Sequence, residues 1–136
     1  MLTASSVSLS DARRVIEAGE AKASELGQPS NIAVVDQGGV LVAHVRMDGA
    51  WRGSVDIAIN KAYTARAFDI STADLGTDAQ PGRQFYGITA SNDSRVMIFA
   101  GGIPLQVDGD VVGAVGVSGG TGEQDQAVAE AAAAAL

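Results

Sequence analysis

The stretch "HVRMDGAW", residues 44–51, holds the only histidine and the only tryptophan of the chain, with an arginine and an aspartate between them. Side chains alternate along an extended strand, so a strand running through this stretch sets His44, Arg46 and Asp48 on one face. A guanidinium there can anchor an oxygen. The aspartate beside it stays ionised, and the imidazole can take or give a proton near neutral pH. The plainer alternative is an Arg46–Asp48 salt bridge that fixes a loop, with His44 partly exposed.

A second candidate is Lys61 in "SVDIAINKAYTARAF", a cation in an alanine-rich segment with Thr64 one helical turn later on the same face. A lysine among apolar groups can act as base, nucleophile or anion anchor, or it can snorkel to water or pair with a carboxylate. Gly101-Gly102-Ile103-Pro104 puts two permissive residues before a rigid one. Bare N–H groups there can hold a ligand oxygen, and a simple bulge or turn explains the same residues. The segment "GAVGVSGGTGEQD" has the outline of a phosphate cradle but matches neither the dinucleotide nor the P-loop fingerprint. Glu123 and Asp125 already fill the positive end of the helix that follows it. Its glycines suit close strand–helix packing, or a backbone that approaches a ligand or a neighbouring subunit.

The elements that must position these residues follow from local rules. "SLSDARRVIEAGEAKASELGQPS" predicts a helix capped by Ser8 or Ser10, with Val15, Ala18 and Leu26 at helical spacing and a stop at Gly27 and Pro29. "NIAVVDQGGVLVAHVRMDG" predicts a hairpin turning at Asp36-Gln37-Gly38-Gly39. The second strand then leads through "MDGAWRG" into a helix with Ser54 as its cap. From Asp69 to Ser94, Gly, Pro, Asp, Ser and Thr interrupt every apolar run, which predicts only short turns and fragments. "RVMIFAGGIPLQVDGDVVGAVGVSGG" reads as three short strands, the last two joined at Asp108-Gly109. Thr121 and Gln124 form a capping box for a closing alanine-rich helix. The sum is an α+β sandwich of one domain over residues 1–136, with a five-stranded, mainly antiparallel sheet covered by helices.

Composition narrows the function classes. Apolar residues make up 46% of the chain, but aromatic ones only 4% beside 17 glycines, so the core is built from small aliphatic side chains. A net charge of −7 repels nucleic acid and anionic lipid, and no apolar run reaches the ~18 residues of a membrane span. The expectation is a soluble, cytoplasmic protein with a small-molecule ligand. No cysteine and a single histidine leave no conventional metal site within one chain.

Taken in order, "NIAVVDQGGVLVAHVRMDGA", "SVDIAINKAYTARAF" and "FAGGIPLQVDGDVVGAVGVSGGTGEQDQAVA" resemble the GlcG/HbpS family, also described as haem-degrading-like domains and found at the C-terminus of PduO proteins. The resemblance spans nearly the whole chain. It implies a profilin-like sandwich, assembly into homo-oligomers, and a ligand such as haem or a corrinoid, with haem breakdown in some members. The motif positions it carries over are Arg46, Asp48 and Gly49; Ser54, Lys61 and Thr64; Gly101, Gly102 and Pro104; and Ser118, Gly119, Gly120 and Asp125. Axial ligation of haem is open to His44, Tyr63, Tyr86 or a methionine. The other reading is an enzyme without cofactor acting on a small carbonyl or hydroxyl metabolite. In it Arg46, Asp48 and Lys61 are catalytic, and His44, Thr64, Gly101, Gly102, Pro104, Ser118 and Gly119 bind the ligand.

Overall fold

Ser8 begins the first helix by accepting the Asp11 N–H while Asp11 accepts the Ser8 N–H at 2.8 Å, a reciprocal box that satisfies two otherwise unpaired amides. In this computed structural model, which describes residues 1–136, the helix is α1 (Leu9–Glu25). It buries Ala12, Val15, Ile16, Gly19 and Ala23; Ala18 and Leu26 lie outside that stripe. The hairpin follows as β1 (Asn31–Asp36) and β2 (Leu41–Arg46). Its turn is closed by Asp36 Oδ1, which accepts N–H groups from Gly38 and Val40 at 2.9 and 3.0 Å.

Helix α2 (Gly53–Phe68) is entered through a tight turn in which Trp51 and Arg52 carbonyls accept the Ser54 and Val55 amides. The turn takes the place of a side-chain cap. Ser54 is therefore not the cap the sequence predicts but a buried residue of the first helical turn. A short helix α3 (Thr72–Asp78) and two 3-10 turns, Ile88–Ala90 and Asn92–Ser94, fill the glycine- and proline-rich middle. The chain ends in β3 (Gly102–Val107), β4 (Asp110–Ser118) and α4 (Gly122–Ala133), the last with the Thr121/Gln124 capping box in place.

The sheet has four strands in the order β2-β1-β4-β3, every neighbouring pair antiparallel, and not five. The missing strand is the run after Arg95. Thr64 Oγ1 on α2 accepts the Met97 N–H at 2.9 Å and lies 3.3 Å from the Arg95 carbonyl oxygen. On the other side, Gly76 of α3 has no side chain where the Ile98 carbonyl passes. Clamped between two helices, Val96 is buried and Met97 and Ile98 are half-buried, without joining the sheet. No helix is long and apolar enough to cross a membrane.

The two faces of the sheet are covered differently. On one, Ile32, Val34, Leu105, Val115 and Val117 pack against Val15, Ile16 and Val128 of α1 and α4. On the other, Ala33, Val35 and Ala114 meet Ala58, Ala62 and Ala65 of α2. Small side chains let α2 lie close to the strands. A Cβ added at Gly116 would collide with the Ala58 carbonyl oxygen and come within 2.5 Å of the Ala62 nitrogen. Gly116→Ala is therefore expected to push α2 off the sheet and to cost about 1–3 kcal/mol or more, read as a lower urea midpoint with the fold retained.

Candidate functional site

Lys61 lies on the sheet-facing side of α2, 2% exposed, among alanines. A buried ammonium must be paired and hydrogen-bonded. Its Nζ donates to the Val117 carbonyl oxygen at 2.8 Å and to Asp125 Oδ2 at 3.1 Å. The other carboxylate oxygen, Asp125 Oδ1, accepts the Gly120 N–H at 2.9 Å. Burial pushes the pKa of Lys61 down and that of Asp125 up, while the charge of each partner pulls the other back. Glycine is required beside this pair. Gly101 sits at φ +123°, and a Cβ there would strike the Val117 carbonyl and lie 3.0 Å from Lys61 Nζ.

A cleft of about 380 Å³ opens over the pair, at the end of β4 where α2 and α4 come together. Its deep side is made by Ser54, Lys61, Ser118 and Asp125, all at most 5% exposed. Its rim carries Trp51 and Phe99, which are 69% and 58% exposed. Ser118, Gly119, Gly120 and Gly122 supply the wall between strand and helix.

The remaining residues singled out in the sequence fall elsewhere. Strand β2 stops at Arg46, and the chain turns through an Ala50 N–H to Met47 carbonyl bond, so Asp48 leaves the strand face it was expected to share. Arg46 and Asp48 form no ion pair; with Arg52 they border a neighbouring recess that shares Trp51 with the cleft. His44 is half-buried and bonds through Nε2 to Asn31 Oδ1 at 3.1 Å, while Asn31 Nδ2 donates to the Trp51 carbonyl. Because the amide NH₂ of Asn31 is so engaged, neutral His44 carries its proton on Nε2. Burial first, and Arg46 second, lower the pKa of His44.

Thr64 is fully buried and clamps the segment after Arg95 rather than facing the cleft. The N–H groups of Gly101 and Gly102 are donated to Gln126 Oε1 and Thr72 Oγ1, at 3.1 and 2.8 Å. That leaves neither amide bare for a ligand. Pro104 pairs with Ala114 on the edge strand β3, outside the cleft. Three cleft features had no role in the sequence reading: Asp125 as the partner of Lys61, the Ser54 hydroxyl, and the aromatic rim of Trp51 and Phe99. Asp125 was signalled by its spacing, since 125, 128, 129 and 132 form the buried stripe of α4.

Comparison with known proteins gives a consistent set of matches. The family model described as "Haem degrading protein HbpS-like" covers residues 7–134. An uncharacterised 15.0 kDa protein of the dhaT–dhaS intergenic region of Citrobacter freundii is 45% identical over 126 residues, 93% of this chain and 89% of that one. The corrinoid adenosyltransferase PduO of the same organism is 36% identical over 98% of this chain, which spans only 40% of PduO. The crystal structure of a PduOC–haem complex superposes with a TM-score of 0.92 at 34% identity, covering 96% of this chain and 95% of that one.

The buried pair and the histidine each lead to an expected outcome. Asp125→Leu alone leaves an uncompensated ammonium and should cost about 3–5 kcal/mol in urea unfolding. Lys61→Met combined with Asp125→Leu should recover most of that loss, which a double-mutant cycle measures directly. The lowered pKa of His44 means that the unfolded chain binds the proton more tightly than the folded one. Its contribution to stability is complete above the unfolded value and is lost as pH falls toward the folded one. Between about pH 7.5 and about pH 5.5 the urea midpoint of the wild type should fall further than that of His44→Gln.

Proposed function

The chain belongs to the HbpS-like family of haem-degrading proteins, and from that membership we propose that it binds a haem or a related tetrapyrrole across the rim of the cleft. The observation that carries this reading is the aromatic rim. Five of the chain's six aromatic rings are exposed, and among them Trp51 and Phe99 stand together at the mouth of one cleft. Leaving large apolar rings in water is unfavourable unless a ligand covers them, and flat rings suit a flat macrocycle. Arg46 and Arg52 border the recess that continues from Trp51. They offer cations to the carboxylates of such a ligand in a chain that is otherwise strongly acidic.

The walls fit a macrocycle better than they fit its iron. No histidine, methionine, tyrosine or cysteine lines the cleft, and Met47, which borders the adjoining recess, packs against the core. His44 Nε2 is bound to Asn31, and the Tyr63 hydroxyl accepts from Asn92 and Arg95. The set therefore supports recognition of the ring and its carboxylates, and no chemical step at the metal follows from it. The haem-bound PduOC structure supports the same ligand class, and the likeness to PduO extends it to corrinoids. Assembly with like subunits, which would cover the outer face of a ligand at an open rim, belongs to this proposal.

Titration with hemin should give a saturable shift of the Soret band. Trp51→Ala and Phe99→Ala should each weaken binding about tenfold, equivalent to ~1.4 kcal/mol. Iron-free protoporphyrin should compete with hemin, because the cleft offers no iron ligand. An unsaturable response, or one that neither substitution alters, overturns the proposal.

A further inference from the structure

Behind the aromatic rim, the floor of the same cleft holds polar groups that the protein itself leaves without partners. Ser54 and Ser118 are 3% and 5% exposed and line the cleft, and neither hydroxyl hydrogen-bonds to another group of the chain. No fully enclosed side-chain polar atom of the molecule lacks a partner, so both hydroxyls open into the cleft rather than being sealed in the core. Lys61 adds a third donor. An ammonium has three N–H groups, and the Val117 carbonyl and Asp125 Oδ2 take only two. Ser54, Ser118 and Lys61 thus line one cleft with donor capacity that the chain itself does not use, and a ligand oxygen can take the place of water there. Ser54 and Lys61 lie two turns apart on one face of α2.

The charge of the floor limits what the occupant can be. Asp125 balances Lys61 and carries the Gly120 N–H on its second oxygen, while Glu123 in the same helical turn is exposed and outside the cleft. An entering carboxylate or phosphate would find the one ammonium of the floor already balanced by Asp125 and would itself stay an unpaired charge in a partly enclosed space. An uncharged oxygen meets no such cost. A carbonyl can accept from two of these three donors, and a hydroxyl can both accept from Lys61 and donate to a serine. A volume of about 380 Å³ is at the small end of ligand pockets and suits a metabolite of few atoms.

We propose that Ser54, Lys61 and Ser118 form a subsite for the uncharged carbonyl or hydroxyl oxygen of a small metabolite. It shares its cleft with the tetrapyrrole reading but neither the residues nor the ligand, for that reading rests on the rim. Binding here involves hydrogen bonds only.

The test uses the full chain, isotope-labelled, with NMR signals read from backbone amides and the lysine ammonium. Hydroxyacetone is the probe, and pyruvate is its anionic match, in which the hydroxymethyl group is replaced by a carboxylate. Hydroxyacetone should shift the signals of Ser118, Gly119, Gly120 and the Lys61 ammonium saturably, and pyruvate should bind at least about tenfold more weakly. Ser54→Ala with Ser118→Ala should lower hydroxyacetone affinity about tenfold while leaving the hemin response unchanged. The wild-type titration decides the matter even if that double variant fails to fold. No saturable shift at the floor, tighter binding of pyruvate, or a folded double variant that binds hydroxyacetone like the wild type overturns the subsite. Floor shifts without a Soret response overturn only the tetrapyrrole reading, and a Soret response without floor shifts overturns only the subsite.

Discussion

An ammonium on the sheet-facing side of a helix has to be met by a carboxylate, and this requirement organises the end of the molecule where the cleft lies. Removing Lys61 and Asp125 from water costs several kcal/mol per ion, a cost that only close, well-directed contacts offset. Those contacts come from every neighbouring element. Lys61 extends from α2, Asp125 comes from the first turn of α4, Val117 adds its carbonyl at the end of β4, and Gly120 adds an amide. Gly101 leaves room just before β3. Helices from opposite faces of the sheet are thereby fixed to each other beyond the end of its central strand.

This arrangement depends in turn on how near α2 lies to the sheet. With alanines at 58, 62 and 65 and glycine at 116, helix and strand backbones approach to a distance that no larger side chain permits. The opposite face carries Ile, Val and Leu and keeps its helices farther out by the bulk of those side chains. The thin layer brings Ser54 and Lys61 down to the end of β4, so that the cleft has a polar floor instead of an aliphatic one.

The legible part of this architecture is the part written in short-range rules. Ser8 with Asp11, Thr121 with Gln124, and Asp36 with Gly38 and Gly39 each act within a few residues, and the element order follows from them. A fifth strand is predicted but absent because an apolar run such as "VMIF" has the same local pattern on a sheet edge and between two helices. The choice is made by Thr64 and Gly76, each about twenty residues or more away along the chain. The alignment of His44, Arg46 and Asp48 assumed a strand two residues longer than β2, and a turn at Met47 removed it. A lysine in an alanine-rich helix is recognisable from sequence as out of place, and pairing with a carboxylate is one of the few fates open to it. Which carboxylate met it depended on a contact across 64 residues, although the stripe of 125, 128, 129 and 132 marked Asp125 as a charge facing inward.

Charge then separates the two ends of the cleft. The net charge of −7 makes the surface as a whole unwelcoming to anions, and at the floor the one ammonium is already matched by Asp125. Arg46 and Arg52 reverse it locally, but only at the recess beside Trp51. A ligand with carboxylates at one edge and an apolar body thus finds its complement at the mouth, where water still solvates the charges. An uncharged oxygen finds its complement inside, where the two serine hydroxyls and the third N–H of Lys61 have no acceptor from the chain and the only full charges are already matched. The same buried pair that holds the helices together therefore also decides which end of the cleft a given ligand can use, because it makes the floor neutral while leaving it rich in donors.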